Sequence, residues 1–200
     1  GKERAALVDE SRAASADVEL PAPDGLEYLP FQKAGIASAL KRGNVLFGDD
    51  MGLGKTIQVI GMINARPDIK RVLIVCPATL KQNWQRELNK WLVRKFRIRI
   101  ATGQSWPGGY ADIVIMNFDI ATKHAAKIQA ELWDLVAIDE AHYLKNRESK
   151  RTLAIFGMDP YTAKRQKVEP SPGVRGRLQV GMTGTPIPNR PSEGFGLFHW

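Results

Sequence analysis

The chain contains a single cysteine, Cys76, among its 200 residues. An internal disulfide is therefore excluded, and the place of that cysteine in the apolar run Val72-Leu73-Ile74-Val75-Cys76 points to a buried, inert thiol in a reducing, intracellular setting. Long hydrophobic runs are missing as well. No stretch approaches the roughly 20 apolar residues of a membrane span, and the first twenty positions lack the apolar segment of a secretion signal. Internal repeats and clusters of metal ligands are also absent. The expectation is a soluble protein, cytoplasmic or nucleoid-associated in a bacterium or phage and nuclear in a eukaryote.

Two hundred residues with 44% hydrophobic content suffice for one domain with a proper core and are too few for two large ones. The net charge of +8 is unevenly spread. Residues 1–24 carry three basic and six acidic side chains, whereas Lys81 to Arg99 holds seven basic residues against Glu87 alone. Lys145 to Arg177 holds nine against Glu148, Asp159 and Glu169. Such clustering favours a polyanionic partner such as nucleic acid, with a solvated basic face as the alternative.

The most informative stretch is Gly48-Asp49-Asp50-Met51-Gly52-Leu53-Gly54-Lys55-Thr56. It follows a short apolar run, Asn44-Val45-Leu46-Phe47, and precedes Ile57 to Ile63, which has helical length and an apolar face. Strand, glycine-rich turn and helix are the context of a phosphate-binding loop. Gly52 and Gly54 let backbone N–H groups approach phosphate oxygens at a helix N-terminus, Lys55 reaches the β- and γ-phosphates, and the Thr56 hydroxyl holds Mg²⁺. The first glycine of the strict pattern is replaced by Asp49, so flanking context and a second motif must carry the reading.

Taken in order, residues 1–24 read as a linker or the tail of an upstream region, and residues 25–200 as one lobe. Leu29 to Leu40 reads as a helix opened by Pro30; Gln32 on it is a surface glutamine by default, or an amide able to meet an adenine edge. After the buried strand Val72 to Cys76, Pro77-Ala78-Thr79 leads into a helix running to about Leu92, with Thr79 as its expected cap. Trp84, Leu88 and Trp91 share one face of that helix and read as core rather than as a platform for bases. Residues 97–101 form a possible short strand, and Asp112 to Met116 another, which ends in Asn117-Phe118 and is followed by helical texture through Leu132.

Leu135 to Ile138 then forms an apolar strand ending in Asp139-Glu140-Ala141-His142. Two carboxylates at the carboxyl edge of a parallel sheet share that edge with a phosphate-binding loop. Asp139 is placed to hold Mg²⁺ through its water shell, and Glu140 to orient and deprotonate an attacking water; a helix cap is the bland alternative. Lys145 to Phe156 reads as an exposed basic helix and Gly157 to Gly176 as a polar loop. A last strand, Leu178 to Met182, closes in Thr183-Gly184-Thr185-Pro186, whose hydroxyls can sense the γ-phosphate and His142. Alternating strands and helices predict an α/β lobe with a doubly wound, mostly parallel sheet.

Phe31-Gln32, Asp49 to Thr56, Asp139-Glu140-Ala141-His142 and Thr183-Gly184-Thr185-Pro186, in this order, resemble the first RecA-like lobe of superfamily-two helicases. The run Asp-Asp-Met-Gly-Leu-Gly-Lys-Thr and the tail Tyr143-Leu144-Lys145-Asn146 are similar to the Swi/Snf-type ATPases, and the Asp-Asp-Met form to their annealing-helicase, bacterial and phage branch. The resemblance spans roughly Gly25 to Trp200 and implies ATP hydrolysis driving movement along double-stranded DNA, generally without strand separation. It implies that Gln32 reads adenine and that Asp50, Met51, Gly52, Leu53, Gly54, Lys55 and Thr56 wrap the triphosphate. It further implies that Pro77, Ala78, Thr79, Asn117 and Phe118 meet the DNA backbone, and that Thr183, Gly184 and Thr185 couple hydrolysis to DNA.

Motors of this type place ATP between two lobes, the second donating arginines to the transferring phosphoryl group. With the sequence ending just past the fourth motif, the expectation is a fragment that binds nucleotide weakly and hydrolyses it negligibly. Two other readings stand beside it: a lobe of a strand-separating DNA or RNA helicase, and a nucleic-acid-binding module with a vestigial nucleotide site.

Overall fold

The computed structural model describes residues 19–48, 54–144, 146, 149–158, 160–167 and 169–184. Six strands form one sheet in the order β1-β6-β5-β2-β4-β3, and every pairing is parallel. The strands are β1 (Asn44–Phe47), β2 (Val72–Cys76), β3 (Ile98–Ile100), β4 (Ile113–Asn117), β5 (Leu132–Ile138) and β6 (Arg175–Met182). The helices are α1 (Pro30–Arg42), α2 (Lys55–Ala65), α3 (Lys81–Trp91), α4 (Phe118–Ala130), α5 (Lys150–Phe156) and α6 (Pro160–Gln166).

The central strands are continuous apolar runs because both of their faces are covered, as a parallel sheet requires. Alternation along each strand divides two cores. Val72, Ile74, Ile113, Ile115, Leu135 and Ala137 face a cluster built with Ile36 of α1, Ile60 and Ile63 of α2, and Trp84, Leu88 and Trp91 of α3. Leu73, Val75, Val114, Met116, Val136 and Ile138 face Phe118, Ala121 and Ile128 of α4 and Ala154 and Ile155 of α5. The sheet is thus doubly wound, in agreement with the expected fold class. Helix α2 lies so close under α1 that a Cβ on Gly61 would meet Ile36 Cδ1 at 2.3 Å.

Several local expectations are corrected. Thr79 does not cap α3: Ala78–Leu80 winds a 3₁₀ turn, and Leu80, already at φ −94° and ψ −9°, leads directly into the helix. Helix α4 stops at Ala130, and Leu132 opens β5 instead. The basic helix shortens to Lys150–Phe156, is capped by Ser149, and buries Thr152, Ala154 and Ile155 rather than lying exposed. The polar loop of residues 157–176 contains α6, an antiparallel bridge between Met158 and Ser171, and the start of β6. Leu20 and Ala22 pack on the core, and the Tyr28 hydroxyl donates to Pro21 O at 3.0 Å, so the end of the expected linker lies against the body.

Much of the clustered positive charge is engaged within the fold. Arg94 donates to the carbonyls of Ile63, Arg66, Pro67 and Ile69 at 2.7–3.2 Å, closing the turn between α2 and β2. Arg97 forks onto Asp112, and Arg177 bridges Asp68 and Asp134. Arg71 pairs with Glu131 and lies 4.9 Å over the Trp133 ring.

Candidate nucleotide site

Strands β1, β6 and β5 end almost level, since Phe47 pairs with Met182 and Ile138 with Gly181. The residues that follow them converge at one rim. Gly54, Lys55 and Thr56 at the start of α2 line a cleft of about 380 Å³ together with Asp139 and Glu140 at the end of β5. That volume lies in the range of small-molecule sites. Gly54 is left-handed, with φ 72° and ψ 36°. Gln32 is not a surface residue: it is buried, its Oε1 accepts the Leu29 N–H at 2.9 Å, and its Nε2 lies against Gly54. Asp50, Met51, Gly52, Leu53 and Thr185 lie outside the described residues.

Asp139 is buried, with a donor on each oxygen: Trp84 Nε1 to Oδ2 and the Glu140 backbone N–H to Oδ1, both at 2.9 Å. Burial pushes its carboxyl above the usual range; the Trp84 bond opposes this, the neighbouring Glu140 charge adds to it, and the Lys55 ammonium opposes it. A buried carboxylate facing a lysine and a threonine hydroxyl suits a divalent cation bound with nucleotide, because Mg²⁺ keeps most of its waters and needs few protein oxygens. Glu140 adopts φ 52°, a left-handed conformation costly for a non-glycine residue and typical of functional positions. Its Oε2 lies 3.1 Å from His142 Nδ1, within ion-pair distance though off the direction of a hydrogen bond.

Thr183 is buried between these elements, its N–H donating to Phe47 O at 3.1 Å, and Gly184 follows it. On the other flank, β2 and β4 end in register at Cys76 and Asn117, which brings Pro77, Ala78 and Thr79 beside Asn117 and Phe118. Ala78 and Thr79 are exposed. Phe118 is buried, stacked on Tyr143 at 5.4 Å, so its side chain serves the core. Sequence reasoning missed Lys81, whose Nζ donates to Asn117 Oδ1 at 3.0 Å, and the cleft-lining pair Asn83 and Glu87 of α3. The only sequence signal for that pair was its spacing of four on a helix starting at the carboxyl edge.

A family model described as the SNF2-related domain matches residues 31–200. The chain belongs to the SNF2-related family. This SNF2-related lobe is 32% identical over 184 residues to the human DNA annealing helicase and endonuclease ZRANB3, covering 86% of this chain and 16% of that protein. It is 30% identical over 172 residues to human DNA repair and recombination protein RAD54B, covering 78% and 17%. Switch 2 of Arabidopsis thaliana is 27% identical over 209 residues, covering 92% and 22%. The chain therefore spans about a fifth of the length of the curated relatives it matches. Among solved structures, its fold matches the Sulfolobus solfataricus SWI2/SNF2 ATPase core in complex with dsDNA, with a TM-score of 0.68 at 22% identity over 90% of this chain and 37% of that one. Among the described residues, no helix is long and apolar enough to cross a membrane.

Proposed function

We propose that this chain is the nucleotide-binding lobe of a DNA-dependent ATPase that moves along duplex DNA without separating its strands. The observation that carries the reading is the single cleft shared by Gly54, Lys55, Thr56, Asp139 and Glu140. The Lys55 ammonium binds the β- and γ-phosphates, and the Gln32 amide, held beside Gly54, meets the adenine edge. Thr56 and Asp139 hold the magnesium ion, which when bound neutralises charge on the transferring phosphoryl group. Glu140 orients the attacking water and accepts its proton, with His142 Nδ1 lying 3.1 Å from its carboxylate.

Duplex DNA lies along the flank formed by Pro77, Ala78 and Thr79 beside the buried Asn117, and Thr183 and Gly184, which follow β6 between β1 and β5, couple the two sites. A second RecA-like lobe, carried by the rest of the full-length protein, completes the cleft with arginines that contribute roughly 10³ to 10⁵ in rate. The protein works where its DNA is, in the nucleus of a eukaryote or the cytoplasm of a bacterium.

The test is hydrolysis by the full-length protein with duplex DNA, single-stranded DNA and RNA compared. Duplex DNA should stimulate most, and Lys55→Ala or Glu140→Gln should abolish the stimulation, Glu140→Gln by roughly 10² to 10⁴. Retained turnover in either variant, or stimulation by RNA alone, defeats the assignment.

A further inference from the structure

We propose that Trp84 is a positioning residue of the nucleotide site, its indole N–H fixing the Asp139 carboxylate for the cation that accompanies the nucleotide. The proposal rests on the role given to Asp139 above.

Trp84 is fully buried on the face of α3 that packs against the sheet, and its Nε1 reaches Asp139 Oδ2 at 2.9 Å across 55 residues of sequence. Packing alone would ask only for an apolar ring system of this volume, which a benzothiophene supplies without a donor. What packing does not require is that the one polar atom of the ring end on a carboxylate lining the cleft. The opposite oxygen, Oδ1, receives the Glu140 backbone N–H at 2.9 Å. Two donors from two separate elements, one on each oxygen, fix the plane of the carboxylate.

A carboxylate offers about four acceptor positions. Two are taken by these donors, and two remain for the waters of a bound cation. The chemical type of the donor matters as much as its direction. An indole N–H is neutral and cannot ionise, so it orients the carboxylate while leaving its full negative charge for the cation; a lysine or arginine in the same place would cancel that charge. Asn83 and Glu87 line the cleft from the same helix, so α3 forms one wall of the site and transmits its packing directly to the carboxylate.

The experiment uses the full-length protein and a fluorescent ADP analogue, with binding measured in EDTA and across a Mg²⁺ titration. Trp84→Phe removes the donor, and replacement of Trp84 by 3-benzothienylalanine exchanges N–H for sulfur while keeping the ring volume. In both, the Mg²⁺ midpoint should rise about 10- to 100-fold, as when other second partners of metal ligands are removed. Affinity in EDTA should be unchanged, a split that a merely destabilised core would not produce. A wild-type Mg²⁺ midpoint in the benzothienyl variant overturns the proposal, and that variant decides the matter even where Trp84→Phe fails to fold. Asp139→Ala separates the two levels. Loss of Mg²⁺ dependence in Asp139→Ala with no effect at Trp84 sinks the positioning role alone, whereas Mg²⁺ dependence that survives Asp139→Ala sinks the underlying assignment with it.

Discussion

Gln32 and Gly54 lie so close that a Cβ added at position 54 would stand 2.4 Å from Gln32 Nε2. The glutamine cannot simply swing away, because its Oε1 holds the Leu29 N–H and the residue is buried. Gly54→Ala therefore combines a left-handed backbone cost of about 1–2 kcal/mol with loss of a capping bond that contributes about 1 kcal/mol. Denaturant titration should show a loss of roughly 2–3 kcal/mol. The double variant Gln32→Ala/Gly54→Ala should lose less than the sum of the singles, since the collision is then already relieved. Strict additivity would mean that the two residues do not touch.

Some cations are engaged by carboxylates and others stand at the proposed DNA flank, and salt dependence should tell them apart. Lys81 donates to the neutral Asn117 amide beside Ala78 and Thr79, whereas Arg97 and Arg177 are paired with carboxylates. In the full-length protein, Lys81→Gln should weaken duplex binding across all sequences and reduce the slope of log K against log salt by about 0.9. Arg177→Gln should leave that slope unchanged. Equal effects of the two would place the DNA elsewhere.

Burial pushes the Cys76 thiol up to about 12, with the nearby Asp139 charge adding to the shift and Lys81 opposing it. In the unfolded chain the thiol ionises near about 8.5. Above that pH the unfolded state releases a proton that the folded state keeps, so stability falls as pH rises, by up to about 1.4 kcal/mol per pH unit. The destabilisation caused by Cys76→Ala should accordingly shrink between pH 8.5 and 10. Thiol labelling of the wild type should proceed only as fast as unfolding exposes the residue. Rapid labelling of the native protein would contradict the burial.

Arg94 acts as a clamp on four carbonyls and stacks 4.9 Å over Phe96. Arg94→Lys keeps the charge but cannot reproduce the planar fork, and should cost about 2 kcal/mol or more in a denaturant titration. DNA affinity per folded molecule should stay unchanged. A loss of affinity without a loss of stability would turn this residue from a clamp into a contact.

The central strands were legible because a parallel strand covered on both faces must be a continuous apolar run, as Val72 to Cys76 and Ile113 to Met116 are. Lys55, Thr56, Asp139 and Glu140 could be found because each stands at a strand-to-helix boundary marked by glycine or by paired carboxylates. The segment before β6 could not be read. Its prolines and polar residues signalled a loop, yet Gly157 and Gly173 let two backbones approach within a distance that any side chain would forbid, and the Met158–Ser171 bridge closes around α6.

The sequence by itself determined that this chain forms an α/β lobe of the SNF2-related family, because apolar runs, turn glycines and motif order are local properties that survive without coordinates. Only the tertiary structure decided which cations are already paired, that Gln32 is buried against Gly54, and that Trp84 ends on Asp139. Each of these depends on the register and crossing of distant elements. A strand shifted by one residue would turn every one of its side chains to the opposite face while leaving the composition of the segment unchanged.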